Sequence, residues 1–255
     1  MTPLNPTITD WQSRRVWIIG ASSGIGAALA TALSNLGARL ALSARRAEPM
    51  QALAGAEDLV LPLDVTDAQA VEQAADEVVR CWGGIDLVIY SAGTYRPMRA
   101  WNIDLPQTAD TLGTNLQGVY HLLHAVVPTL LHQGRGGICL VASVAGYSGL
   151  PKALAYGPTK AALINLAQIL YTDLAPKGIG IYLINPGFVA TRLTRQNDFP
   201  MPALLQPEAA ARAILQGLAK GRFDIHFPKR FSHWMRLLAR LPDRLRFHLI
   251  KRVVV

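Results

Sequence analysis

Six short runs, RVWII, RLALS, DLVLPL, DLVIYSA, GGICLVAS and GIGIYLIN, are almost continuously apolar, and longer amphipathic stretches separate them. Strands this apolar are covered on both faces, and strands alternating with helices build a parallel sheet with helices on either side. FDIHF, near residue 225, supplies a seventh run. The alternation predicts a single doubly wound α/β domain of about seven strands over residues 13–230, with a basic amphipathic helical tail over residues 231–255. A chain of 255 residues that is 51% hydrophobic has enough apolar surface for one large core. Its two cysteines, Cys81 and Cys139, both lie in apolar stretches and cannot build a disulfide framework, as in a reducing compartment. No apolar run is long enough to span a bilayer and MTPLNPTITDWQSRR lacks a signal-peptide core, so a cytoplasmic location is expected.

The formal net charge of +8 is confined to one place. Residues 222–255 carry nine Lys/Arg and two Asp/Glu, a net +7, which leaves +1 for the 221 residues before them. A domain so nearly neutral is not built to bind nucleic acid; the charge is a property of the tail.

After the first strand comes GASSGIGAALATAL, with Gly20, Gly24 and Gly26 in a G-x-x-x-G-x-G spacing that differs from G-x-G-x-x-G. Glycines let the backbone turn sharply and approach a ligand, and free amides at a helix start attract phosphate, so the stretch that also holds Ser22, Ser23 and Ile25 is a nucleotide site by position. GASSG also satisfies the G-x-S-x-G nucleophile elbow, with Ser22 as nucleophile and Asp173 and His226 available as partners. That serine-hydrolase reading leaves no earlier strand to supply the oxyanion loop, and it gives Tyr156 and Lys160 no work. After the second strand, LALSARRAE places Ala44 where an acid would hold a free ribose 2′-hydroxyl, and Arg45 and Arg46 follow. Arginine there suits a 2′-phosphate, so NADP(H) is favoured over NAD(H). In AYGPTK, Tyr156 stands four residues before Lys160, which is one helical turn and about 5–6 Å at Cβ. Pro158 is tolerated in a first helical turn.

Five ordered pieces, GASSGIG, LDVTD, SAG, ASVAGYSGLPKALAYGPTK and NPGFVATRL, resemble the short-chain dehydrogenases/reductases over nearly the whole domain. The resemblance implies a Rossmann-type fold and hydride transfer between a nicotinamide cofactor and a ketone or secondary alcohol. It implies that Tyr156 is the catalytic acid/base, that Lys160 binds the nicotinamide ribose and lowers the phenol pKa, and that Ser143 holds the substrate oxygen. Asn115, in GTNLQG, corresponds to the asparagine that supports a water relay to the lysine. Asp64 and Val65 resemble the pair beside the adenine, Ser91, Ala92 and Gly93 the turn along the adenosine, and Pro186, Gly187, Val189 and Thr191 the loop holding the carboxamide. Two positions depart from the family: Ile19 stands for the usual threonine before the first glycine, and Tyr90-Ser91-Ala92-Gly93 for Asn-Asn-Ala-Gly. Both changes remove side-chain hydrogen bonds near the cofactor turn. A protein that binds NADP(H) without catalysis is the alternative, and family membership implies a homodimer or homotetramer.

His121 and His124 lie three apart on a helix without a companion carboxylate or cysteine cluster, so no metal is expected. In FVATRLTRQNDFPMPALLQP, the residues Phe188, Leu193, Phe199, Met201, Leu204 and Leu205 fit an apolar carbonyl substrate, with Arg192 and Arg195 available to an acidic head group. The tail carries Phe231, Trp234, Leu238 and Leu241, then Leu245, Leu249 and Val253, at helical spacing. Arg236, Arg240, Arg244, Arg246, Lys251 and Arg252 are interleaved with them. Two readings stay open: a helix pair lying in a membrane interface, and a packing element over the cleft or a subunit contact.

Overall fold

Seven parallel strands pair in the order β3-β2-β1-β4-β5-β6-β7. They are β1 (Arg15–Ile19), β2 (Arg39–Ser43), β3 (Leu59–Val60), β4 (Leu87–Tyr90), β5 (Gly136–Val141), β6 (Ile179–Pro186) and β7 (Asp224–Phe227). The helices are α1 (Gly24–Ser34), α2 (Glu48–Gln51), α3 (Ala68–Trp82), α4 (Leu105–Leu112), α5 (Gly118–Gln133), α6 (Tyr156–Leu174), α7 (Pro207–Ala219), α8 (Lys229–Arg240) and α9 (Asp243–Val254). The computed structural model describes residues 2–196 and 198–254, with side chains as far as residue 251. Asn197 and the side chains of Arg252 and Val253, the last two counted in the tail pattern, lie outside the described set.

Both faces of the sheet are covered, which is why its strands read as unbroken apolar runs. Trp17 and Ile19 of β1 point into a core shared with α3, α5 and α6, while Val16 and Ile18 point into one shared with α1 and α7. The third run is shorter than expected, because Pro62 has no N–H to give. Leu61 and Leu63 on either side still donate to the Leu42 and Ala44 carbonyls, at 2.9 and 3.1 Å. The strand order reverses direction at β1, whose neighbours are β2 on one side and β4 on the other. At such a switch point the loops leaving the C-terminal strand ends part and open a crevice.

The polypeptide before residue 13 belongs to the fold, although the sequence pattern starts the domain there. Asn5 is buried and pairs with Ile181 like a strand neighbour: Nδ2 donates to its carbonyl at 2.7 Å and Oδ1 accepts its N–H at 2.9 Å. Tyr182 Oη donates to the Pro6 carbonyl at 2.5 Å, and Ile8 and Trp11 are buried in the α1/α7 core. This strap covers the part of β6 that β7, which pairs only from Leu183 onward, leaves open.

The tail also packs on the domain. Met235 and Leu238 of α8 and Ile250 of α9 are buried with Val144, and Phe231, Tyr147 and Leu150 pack around them. The inward stripe of α8 is therefore Phe231-Met235-Leu238, with Trp234 at its edge and 40% exposed. Arg236 forms an ion pair with Asp224 on β7, donates two hydrogen bonds of 3.3 Å to Tyr147 Oη, and lies 5.3 Å from the Tyr147 ring centre.

Replacing Asn5 by Ala leaves a buried donor and a buried acceptor on β6 without partners. Each such group costs about 1–3 kcal/mol. Urea unfolding of Asn5→Ala is expected to show a loss of about 2–4 kcal/mol with an unchanged m-value. A loss below about 0.5 kcal/mol would mean that the strap adds nothing to the fold.

Candidate active site at the sheet switch point

The turn after β1 is held by contacts that exclude a side chain. Gly20 has φ +90°, its N–H donates to the Ser43 carbonyl at 2.7 Å, and a Cβ there would sit 2.5 Å from the Ala92 nitrogen. Gly26, in the first turn of α1, has its Cα face on the Gly20 carbonyl; a Cβ would lie 2.2 Å from that oxygen. The strand end, the helix start and the turn after β4 thus meet in the space that two hydrogens occupy. At the N-terminus of α1 the Ser23 side chain makes no cap and the first turn has no acid, so the positive end of the helix faces the crevice.

The crevice is a cleft of about 460 Å³. Gly20, Ser22, Ser23, Gly24 and Ile25 line one wall, Arg45, Arg46, Asp64 and Val65 one end, and Ser91, Ala92 and Gly93 the wall opposite. Ser143, Tyr156, Lys160, Pro186, Gly187, Val189 and Thr191 line the other end. Gly26 lies beneath the turn. Burial acts to raise the Asp64 pKa, but hydrogen bonds from the Thr66 N–H (2.9 Å) and hydroxyl (2.8 Å), with the charge of Arg45, hold the carboxyl below its usual range. Sequence reasoning missed Asp110, Thr114 and Thr194, which also line the cleft. Asp110 and Thr114 are polar residues one helical turn apart, the only signal that could have marked them.

Tyr156 opens α6, and Ser143 follows β5, where its Oγ accepts the Ala145 N–H at 3.1 Å. Lys160 is 4% exposed; its Nζ donates to the Val141 carbonyl at 2.9 Å and lies 5.4 Å from the Tyr156 ring centre. Asn115 sits in a π-helical turn, Gly113–Gln117, between α4 and α5. Its Oδ1 accepts the Thr94 N–H at 2.7 Å, and its Nδ2 donates to the Thr94 carbonyl (2.9 Å) and to Thr159 Oγ1 (3.2 Å). Asn115 therefore ties the loop after β4 to the residue before Lys160. At one departure from the family pattern, Tyr90 Oη donates to the Thr114 carbonyl at 2.6 Å, in space left by Gly118.

The hydrolase set does not assemble. His226 Nδ1 is 2.7 Å from Ser232 Oγ and its ring stacks edge-on against His233, beside the tail. Asp173 is exposed near the C-terminus of α6, the end remote from Tyr156, whereas Ser22 lies in the cleft. Cys139 is buried but Cys81 is exposed, contrary to its apolar setting in the sequence. His121 Nδ1 is spent on the Val65 carbonyl at 2.9 Å.

Beyond Ser143 and Tyr156 lies a second cavity, of about 160 Å³. Tyr95 roofs it, edge-on to Tyr156 with ring centres 5.1 Å apart. From the loop after β6, Phe188, Leu193 and Phe199 reach it, while Met201, Leu204 and Leu205 do not. Arg192 lines the larger cleft instead, and Arg195 is exposed; neither lines the second cavity. Its far wall is the tail: Phe231, Trp234, Met235, Leu238 and Ile250.

A seven-stranded parallel sheet with a nucleotide-sized crevice at its switch point defines a Rossmann-type α/β protein. The short chain dehydrogenase family model matches residues 14–200. An uncharacterized oxidoreductase of Myxococcus xanthus is 33% identical over 244 residues, covering 93% of this chain and 96% of the relative. The chain belongs to the short-chain dehydrogenase/reductase family of oxidoreductases. Among solved structures, a short chain dehydrogenase from Burkholderia cenocepacia in complex with NADP superimposes with a TM-score of 0.83 at 24% identity, covering 97% of this chain and all of the other. A relative from Burkholderia phymatum in complex with NAD superimposes at 0.82 with 26% identity, over 90% of this chain and 94% of that one.

Burial dominates the electrostatics of the Tyr156–Lys160 pair. It pushes the Tyr156 phenol up to about 12, against a Ser143 hydrogen bond that pulls it down, and it pushes Lys160 down to about 8. The expected lowering of the phenol by the lysine is thus absent in the protein alone, because a desolvated site disfavours both charged forms. The folded pKa of Lys160 lies below its unfolded value of 10.5. Its contribution to stability is therefore present above 10.5 and lost as pH falls through about 8. Unfolding free energies of wild type and Lys160→Met are expected to differ more in favour of wild type at pH 10 than at pH 7. A difference independent of pH would show that Lys160 is not desolvated.

Proposed function

We propose that this chain is an NADP(H)-dependent oxidoreductase that interconverts an apolar, lipid-derived ketone and its secondary alcohol. The observation that carries the reading is that Ser143 and Tyr156 line both cavities, so they stand where a nucleotide cleft meets an apolar chamber. The close contacts at Gly20 and Gly26 leave a backbone cradle against which a pyrophosphate can lie, and α1 directs free amides at it. Arg45 and Arg46, with no acid at Ala44, suit a ribose 2′-phosphate; the solved relatives hold NADP in one case and NAD in another, so the preference rests on these side chains.

When bound, the nicotinamide supplies or takes the hydride. In reduction, Tyr156 Oη gives its proton to the carbonyl oxygen as negative charge develops there, and the Ser143 hydroxyl donates to the same atom. A phenol pKa of about 12 keeps this donor protonated at neutral pH. Lys160 holds the cofactor ribose and its ammonium stabilises the phenolate that remains. Asn115 positions Thr94 and Thr159 around the lysine. No charged residue lines the chamber among the described residues, which favours an apolar substrate.

The reading includes a cytoplasmic homodimer or homotetramer, supported by Leu105, Leu112, Tyr120, Leu131 and Ile169, which stand exposed on α4, α5 and α6.

Fluorescence titration is expected to show tighter binding of NADPH than of NADH, and Arg45→Ala/Arg46→Ala to remove at least about tenfold of the NADPH affinity while sparing NADH. Equal affinities in wild type would overturn the cofactor assignment. Tyr156→Phe is expected to lower ketone reduction by about 10²–10⁴-fold with NADPH affinity nearly unchanged. A wild type that binds NADPH but turns over no member of a ketone panel would instead be a noncatalytic NADP(H)-binding protein.

A further inference from the structure

The tail has two faces. Met235, Leu238 and Ile250 turn into one cluster with Val144, so the opposite faces of both α8 and α9 turn outward. Those faces carry apolar as well as charged side chains. Trp234 and Leu237 on α8 are 40% and 61% exposed, and Leu245 and Phe247, which flank the outward side of α9, are 47% and 50% exposed. Lys229, Arg230, Arg240, Arg244 and Lys251 are exposed among them.

The acids of this region are already committed: Asp224 is paired with Arg236 and Asp243 with Arg246. Among the described residues the five exposed cations have no ion-pair partner, so the face is apolar and positively charged. A bilayer carrying anionic headgroups complements both properties, because Trp and Leu enter the acyl boundary while Lys and Arg meet phosphate. Among the described residues no helix is long and apolar enough to cross a membrane, so the contact is with its surface.

Trp234 joins the two faces. It lines the chamber beyond Ser143 and Tyr156, and it is also part of the exposed apolar patch. We propose that the outer face of α8 and α9 seats the protein on an anionic bilayer, and that the chamber draws its carbonyl substrate from that bilayer past Trp234. The second clause rests on the carbonyl-reduction reading above; the first does not.

The test is co-sedimentation of the full chain with phosphatidylglycerol/phosphatidylcholine vesicles and with phosphatidylcholine vesicles alone, at low and high salt. Leu237→Glu/Phe247→Glu serves as the variant, since neither residue lines a cavity. Wild type is expected to sediment with the anionic vesicles, less so in high salt, and the variant to partition at least about tenfold less. The variant is expected to reduce a short water-soluble ketone as fast as wild type, but to lose turnover of a long-chain ketone carried in anionic vesicles. Wild type that stays in the supernatant with anionic vesicles at low salt, or that binds neutral vesicles equally well, overturns the docking surface. So does a variant that dissociates a homo-oligomer, since a second copy would then cover the face. Vesicle binding by a protein that reduces neither ketone leaves docking standing and overturns the delivery of substrate together with the reductase reading. Equal loss of both ketone activities in the variant also overturns delivery.

Discussion

The site depends on a backbone contact that tolerates nothing larger than hydrogen. The end of β1, the start of α1 and the turn after β4 converge at Gly20 and Gly26, where a Cβ would lie 2.5 Å from the Ala92 nitrogen or 2.2 Å from the Gly20 carbonyl oxygen. Backbone cannot yield by such distances as a flexible side chain can, so the contact fixes α1 over the sheet edge at the point where strand order reverses. The crevice follows from two facts that are separate in the sequence. Parallel strands bring every loop of one kind to the same edge, and the glycine contact keeps the first of those loops low enough to leave a floor. Arg45, Asp64, Ser91 and Thr191 come from four different loops and still line one cleft.

At the other end of that cleft, desolvation sets the chemistry. Lys160 and Tyr156 are one turn apart, and in water an ammonium so placed would acidify a phenol. Here the same burial that assembles them raises the phenol and lowers the ammonium. Favouring the neutral form of both keeps the phenol protonated, as the proposed proton-donor role requires. Asn115 ties together the segments around the pair, holding Thr94 on one side and Thr159 on the other. The π-helical turn that carries it is in turn fastened by Tyr90, the residue that replaces an asparagine of the family pattern.

Whatever is periodic or local was legible in the sequence. Apolar runs marked every strand, because most are buried on both faces, and the Tyr156–Lys160 spacing marked a helix face. Glycine spacing marked the turn. Contacts between distant segments were not legible. Asn5 reads as one polar residue in an irregular terminus, yet its amide serves as a strand neighbour to a residue 176 positions away. Periodicity located the tail helices but not their inner stripe, since Trp234 and Met235 are adjacent apolar residues and only packing chooses between them. That Arg192 lines the larger cleft rather than the second cavity was likewise not legible, because the direction of a loop side chain follows no period.

The tail is joined by Arg236 to the loop that carries Ser143. Its guanidinium reaches Asp224 on the last strand and the Tyr147 hydroxyl, four residues beyond Ser143. Both carboxylate and guanidinium are about a third exposed, so the ion pair by itself is worth little. Its effect is geometric: a planar guanidinium that meets a carboxylate, a hydroxyl and a ring face has few alternative positions. Burial pushes the Tyr147 phenol up to about 12, so it stays protonated and continues to accept from Arg236 across the neutral range. Val144, next to Ser143, is itself in the cluster that buries Met235, Leu238 and Ile250. A shift of α8 would therefore move the far wall of the chamber and the loop carrying the serine together, which makes a segment outside the matched family region part of the second cavity's wall.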